Sequence, residues 1–298
     1  MKILLLTENF EFHSCQRLQE ECQALGILVT CQNPYEESSL SFTPDKVKQG
    51  HGDIILHRST GTRWDDFDLL YSLEAKAQGW RVYNDPQSMI YLRSKDWQTH
   101  LWQKAQIPVV PSYTFRGHPT TKNLEQIGEL FAAYLQPGQE QFILKANRGN
   151  QGLGISLING WDSLLGLLET FWAIKDQKFM IQPFLRTKSE YRFFLCREKI
   201  FSVLKRTPGT NDFRANAQHG EAQILNPHDS PALCALALRA LKTSGLFYGA
   251  VDILEWKNKY FILELNPVPG FKQLEELSGQ NVARHLLQEI LDDYASHR

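Results

Sequence analysis

The run from Gly249 to Pro267 alternates apolar and polar residues on either side of Lys257-Asn258-Lys259. A period of two interrupted by a short polar turn leaves little room for anything but a β-hairpin. Val251–Glu255 and Tyr260–Leu265 are its strands. A three-residue loop at Lys257 to Lys259 sets Asp252 directly opposite Glu264. Residues two apart share a face of a strand, so Asn266 joins them. That face reads Ala250, Asp252, Leu254, Ile262, Glu264 and Asn266. Two facing carboxylates repel each other and destabilise the pair. A cation reverses the sign, and two carboxylates with an amide oxygen suit Mg²⁺ or Mn²⁺, water and phosphate oxygens completing the shell. The other open reading turns one carboxylate to solvent or pairs it with a lysine.

A chain of 298 residues is long enough for two or three domains. The formal net charge of −1 supplies no bulk field toward nucleic acid or a membrane. Met1 to Phe10 reads as a short buried strand rather than a signal peptide, and no run of about 18 apolar residues occurs. The five cysteines are odd in number and form no C-x-x-C pair. Cys15 and Cys22 fall on one helical face and read as core. A reducing cytoplasm is the expected setting.

Residues 1–93 alternate strand and helix: Lys2–Leu6, helix His13 to Leu25, Ile27–Cys31, Asp53–His57, helix Asp68 to Gln78, and Arg81–Tyr83. This order predicts a small parallel sheet with helices on its faces. Residues 94–180 open with Ser94 as N-cap of a helix Lys95 to Ala105. They continue with an extended Ile107–Phe115, a helix Asn123 to Leu135, strands Gln141–Lys145 and Ile155–Ile158, and a helix Asp162 to Ile174. Residues 181–298 follow a strand at Phe179–Leu185 with a strand pair, Tyr191–Arg197 and Lys199–Arg206. A helix Pro231 to Thr243, the hairpin, and an amphipathic helix Val282 to Tyr294 complete the chain. The fold class expected is α/β, with α+β character after the N-terminal domain.

Between two of these strands lies Lys145-x-x-x-Gly149-x-x-Gly152-x-Gly154, with Gln151 inside it. Glycines let a backbone bend and approach an anion. A Walker loop and a dinucleotide fingerprint both open a helix, so neither fits. A strand–Gly loop–strand unit is either a plain hairpin turn or a flap able to fold over phosphates. Lys145 ends the strand entering it. Lys95 sits in a first helical turn, where a cation opposes the macrodipole and an anion would relieve it. Pro183 lacks an N–H, so its strand is an edge or ends there. The segment Gln182, Pro183, Phe184, Leu185 thus offers free backbone groups, and Glu190 offers a carboxylate for hydroxyls. Arg206, Arg214 and Asn216 cluster in a loop suited to carboxylate or phosphate. The nine histidines show no metal spacing, and no Ser-His-Asp or Cys-His set emerges.

Taken in order, Lys145 to Gly154, Asp212-Phe-Arg-Ala-Asn216 and Asp252…Glu264-Leu-Asn-Pro-Val-Pro-Gly270 resemble the ATP-grasp superfamily, and within it the RimK-like glutamate ligases. The resemblance runs over nearly the whole chain. It implies an ATP-grasp fold behind a small parallel-sheet domain, with domains at 1–93, 94–180 and 181–298. It implies ATP held by Lys95 and Lys145 and covered by the flap at Gly149, Gln151, Gly152 and Gly154. Gln182, Pro183, Phe184 and Leu185 would hold adenine, and Glu190 the ribose. Two Mg²⁺ or Mn²⁺ ions would sit on Asp252, Glu264 and Asn266, with Arg206, Arg214 and Asn216 serving catalysis. The activity implied is ATP-dependent amide formation through an acyl phosphate, joining an amino acid to a peptide, protein or small molecule. An ATP-grasp kinase and a non-catalytic nucleotide-binding protein are the alternatives. A homo-oligomer, dimer or tetramer, is also implied. The chain departs from the family at Gln218-His219-Gly220-Glu221, where a basic Gly-rich stretch is usual. The glutamate lowers positive charge there and leaves the ligated amino acid open.

Overall fold

The computed structural model describes residues 1–36, 54–59, 65–115, 117–149, 154–174, 178–209 and 221–297. The N-terminal sheet comprises β1 (Lys2–Leu6), β2 (Leu28–Gln32), β3 (Ile54–His57) and β4 (Arg81–Tyr83). Its order is β2-β1-β3-β4 and every pair is parallel, as the alternation of strand and helix predicts. The strand period of two sorts its core. Ile3 and Leu5 face Leu18 and Cys22 of α1 (His13–Ala24) and Leu286 of the last helix, α9 (Val282–Ser296). Leu4, Leu6 and Ile55 face Ala75 of α2 (Phe67–Ala77). The C-terminal helix therefore belongs to the core of the N-terminal sheet. Gly26, at φ +68°, ends α1 in a conformation that costs glycine little.

The second sheet joins β5 (Tyr113–Phe115), β6 (Gln141–Ala146), β7 (Ile155–Asn159) and β8 (Phe179–Pro183) in the antiparallel order β5-β8-β6-β7. One face buries Phe142 and Leu144 against Ile127 and Phe131 of α5 (Thr121–Phe131) and Leu164 and Leu168 of α6 (Trp161–Ile174). By alternation Ile143 and Lys145 point the other way. Pro183 lies past Ile181, the last residue of β8 that pairs with β5, so its missing N–H breaks no bond there.

The third sheet holds β9 (Glu190–Cys196), β10 (Lys199–Thr207), β11 (Glu221–Leu225), β12 (Tyr248–Trp256) and β13 (Lys259–Asn266), ordered β11-β10-β9-β12-β13. Phe193, Val251, Ile253, Ile262 and Leu265 pack on α7 (Pro231–Ser244) and on Trp102 of α4 (Lys95–Lys104). The edge strand β13 is covered. Gln98 of α4 donates to Leu265 O at 2.8 Å and accepts from Leu265 N at 2.9 Å, and Ile262 N donates to Pro108 O at 2.9 Å. These bonds fix α4 to the hairpin.

Two α-helices and one strand among the described residues lie outside the elements expected from the sequence. α3 (Pro86–Leu92) is started by Asp85, whose side chain accepts from Ser88 N, with Pro86 in the first turn. β11 extends the sheet past β10. α8 (Lys272–Ser278) follows the hairpin and is ended by Gly279 at φ +65°.

Candidate active site

The hairpin brings Asp252 opposite Glu264, but by another route than a three-residue loop. Trp256 pairs with Lys259, so the turn has two residues, Lys257 and Asn258, at φ +49° and +60°. Positive φ at both central positions is the type I′ pattern that matches strand twist. Continued regularly, that turn would set Leu263 against Asp252. A bulge between Asp252 and Ile253 adds one residue on β13, and Glu264 takes the place. Ile262 consequently pairs with Ile253 and belongs to the buried face against α7, a correction to the face read from the sequence. Phe261 and Leu263 replace it on the site face.

Registers across β10, β9, β12 and β13 then define the site face row by row. Arg206, Glu190 and Leu254 form one row, and Arg192, Asp252 and Glu264 the next. Ala250 opposes Asn266 in the row beyond. Arg192 Nη1 donates to Asp252 Oδ2 at 2.8 Å. Lys95 Nζ lies 3.7 Å from Glu264 Oε2 and donates to Gly149 O at 2.9 Å. Asn266 Oδ1 accepts from Val268 N at 2.9 Å, which starts the turn into Pro269. Asn84 fixes this turn from the N-terminal side, donating to Pro267 O and Tyr248 O and accepting from Phe247 N and Tyr248 N.

The Gly loop enters from the second sheet. Gly149 (φ +146°) and Gly154 (φ +71°) bound its described ends, and Ala146 N bonds Gly154 O to close the stem. Gln151 and Gly152 lie outside the described residues, as do Arg214, Asn216 and Gln218 to Gly220. Ser94 is the N-cap residue of α4 but its side chain makes no capping bond. Asn147 caps instead: Lys95 N donates to its carbonyl at 3.0 Å and Asp96 N to its Oδ1 at 3.0 Å. Lys95 is thereby held between loop stem and hairpin.

Between the sheets runs a cleft, partly open to solvent. Val110, Ile143, Ile155, Leu185, Leu254 and Leu263 make its apolar end. Lys145, Glu190, Arg206, Asp252 and Glu264 make its charged end. Gln182 lines the cleft and donates to Ser112 Oγ at 2.8 Å. Phe184 N is spent on Gln141 O, whereas Leu185 N–H has no backbone acceptor among the described residues.

Electrostatics tie the charged end together. Burial raises the Asp252 carboxyl, and Glu264 adds to this against Arg192 and Arg206. Burial also works on Glu264, but Lys95, Lys145 and Arg192 outweigh it and hold that carboxyl low. Burial lowers Lys145, with Lys95 acting in the same direction and Glu264 opposing. Burial, reinforced by Asp252, lifts Glu190 to about 7. Among the described residues no three His, Cys, Asp or Glu side chains gather as a metal site. Asp252, Glu264 and Asn266 are nevertheless hard oxygen donors on one face, and an incomplete protein shell is what Mg²⁺ shared with phosphates requires. Arg192 was missed in the sequence because only the β9–β12 register brings it to Asp252, 60 positions away.

An apolar slot thus opens onto carboxylates, lysines and arginines between two antiparallel sheets. A model of the RimK-like ATP-grasp domain matches residues 120–290, more than half the chain, and the chain belongs to that family. It is an enzyme of the ATP-grasp ligase class. A probable alpha-L-glutamate ligase of Haemophilus influenzae (strain 86-028NP) is 27% identical over 97% of both chains. One of Legionella pneumophila (strain Corby) is 25% identical over 97% of this chain and 95% of its own. The ATP-grasp ligase PsnB, solved with a minimal precursor, Mg and ADP, superposes with a TM-score of 0.72 at 18% identity, covering 98% of this chain and 97% of its own. A D-alanine–D-alanine ligase from Bacillus anthracis solved with ATP gives 0.69 at 15%, covering 99% and 98%. These two show the shared fold. No helix among the described residues is long and apolar enough to cross a membrane.

Proposed function

We propose that the protein is an ATP-dependent carboxylate–amine ligase that joins an amino acid to a peptide, a protein or a small molecule. The observation that carries this is the opposition of Asp252 and Glu264 across the hairpin, with Arg192 on Asp252 Oδ2 and Lys95 near Glu264 Oε2. A purely structural protein gains nothing from two apposed carboxylates at the end of an apolar slot.

In this reading the apolar end takes adenine, with Leu185 N–H as donor and Gln182, Pro183 and Phe184 as its frame. Glu190 accepts from the ribose hydroxyls. Lys95 and Lys145 bind phosphates, and the segment from Gly149 to Gly154, including Gln151 and Gly152, closes over them. Asp252, Glu264 and Asn266 hold Mg²⁺ or Mn²⁺, two ions in all, which neutralise triphosphate charge when bound. Arg192 and Arg206 face the oxygens of the transferred phosphoryl group, and Arg214 and Asn216 complete that set. A substrate carboxylate oxygen attacks the γ-phosphorus, and the bond from phosphorus to the bridging oxygen breaks to release ADP. The amine nitrogen then attacks the acyl carbon, inorganic phosphate leaves, and the amine proton passes to solvent. The residues supply position and charge, so no covalent nucleophile is needed.

The test is a screen of ADP release over amino acids paired with peptides and small amines, read by mass spectrometry for a condensed product. A product lighter by one water than its two substrates is expected, with ADP release dependent on both. A phosphorylated hydroxyl with no amine dependence would point to a kinase. An absence of Mg²⁺-dependent ADP release with every pair would remove the ligase reading.

A further inference from the structure

Arg58 follows β3 and is 3% exposed, yet no carboxylate among the described residues pairs with it. Its Nη2 donates to two neutral acceptors, Ser14 Oγ at 2.7 Å and Pro269 O at 2.9 Å. Its Nε and Nη1 are buried with no partner. Phe271 lies beneath the guanidinium at 5.9 Å, and the Tyr248 hydroxyl, which donates to His57 O, stands within reach of Arg58 as one more neutral acceptor. A buried guanidinium left with neutral partners is costly.

Its position adds to that cost. Ser14 stands in the first turn of α1, the positive end of a twelve-residue helix. That end has no side-chain cap and no acidic residue in its first turn. The N–H groups of His13 and Ser14 have no acceptor among the described residues, whereas Cys15 N and Gln16 N reach Phe12 O. His13 Nδ1 is also buried without a partner, and its Nε2 lies 3.5 Å from Glu275. Unmatched donors of a helix end and of a buried cation thus belong to neighbouring groups, joined by the bond from Arg58 Nη2 to Ser14 Oγ. A single anion accepting from Arg58 Nε and Nη1, with the Ser14 hydroxyl turned to donate to it, would reverse both penalties.

We propose that Arg58, Ser14 and the N-terminus of α1 form a binding site for a carboxylate of the substrate, distinct from the carboxylate that is activated. This rests on the ligase reading and deepens it. Pro269 stands three positions past Asn266, and Gly270 beside it lines a small recess with Arg192 and Arg206. In this proposal a carboxylate at Arg58 anchors a substrate whose reacting end lies toward the phosphoryl-transfer centre. The substrate class is an acid carrying at least two carboxylates, or an amine carrying one.

The test uses the full-length, ¹⁵N-labelled protein without nucleotide. It is titrated at constant ionic strength with glutarate as carboxylate probe and, separately, with inorganic phosphate. Saturable shifts of the His13 and Ser14 amides and of the Arg58 Nε–H are expected with glutarate. The midpoint should weaken at least tenfold in Arg58→Gln and several-fold in Ser14→Ala, which keeps the buried charge should the first variant fold poorly. No saturable shift, or an unchanged midpoint in Ser14→Ala, would overturn the site. Saturation by phosphate but not glutarate would also overturn it, marking the anion as inorganic. The titration needs no turnover, so its failure leaves the ligase reading standing. A wild-type protein without Mg²⁺-dependent ADP release would remove that reading whatever the amides do.

Discussion

Arg192 and Lys95 neutralise the two carboxylates that a divalent ion would otherwise claim. The pair is legible in the sequence because a period of two and a short turn place it. Arg192 is not, since its partner is set by sheet order rather than spacing. Lys145 enters the cleft with no hydrogen bond to an acceptor among the described residues and is lowered chiefly by burial. Lys145→Ala is expected to weaken ATP affinity about tenfold, roughly 1.4 kcal/mol, by calorimetric titration, with little change in melting temperature. Glu190 gives a pH signature. Its folded value of about 7 exceeds its unfolded value of 4.5, so the native state binds the extra proton between them. That contribution to stability is present in the acid part of this window and is lost as pH rises through about 7. Urea denaturation of Glu190→Gln should show a flatter dependence from pH 5 to pH 8 than the parent.

The hairpin shows how an element is specified by two departures from regularity that cancel. A two-residue turn and a one-residue bulge reach the register that a longer loop would give. Sequence periodicity detects the strands but not the bulge, because Phe261, Ile262 and Leu263 are all apolar and fit either face. α3 and β11 went unread for a similar reason: each is short, and tertiary contacts outweigh its local pattern. Lys257 holds φ +49°, a conformation that costs an L-residue about 1–2 kcal/mol. The double change Lys257→Asn with Asn258→Gly installs the favoured type I′ pair. It should raise stability by about 1 kcal/mol in urea denaturation and leave ATP turnover unchanged.

Across the molecule, the N-terminal sheet and the Gly loop are joined by charge. Asp66 accepts from Arg148 at 3.0 and 2.8 Å and from Arg93 at 2.9 Å. Arg93 reaches the fully buried Asp68, beside His57 at 3.0 Å. The parallel sheet was legible from strand and helix order, but this chain of ion pairs was not, since its members come from four separate segments. Arg148→Ala should cost about 1–3 kcal/mol of stability and raise amide exchange at Gly149 and Gly154 relative to the helix cores. The central claim is that the hairpin seats a divalent ion against a nucleotide's phosphates. A crystal structure of the whole chain with Mg²⁺ and a non-hydrolysable ATP analogue tests it most directly. Metal density bonded to Asp252, Glu264 and Asn266 is expected, with phosphates at Lys95 and Lys145 and Arg192 released from Asp252. Phosphates and metal bound away from these side chains, with Arg192 still on Asp252, would contradict it.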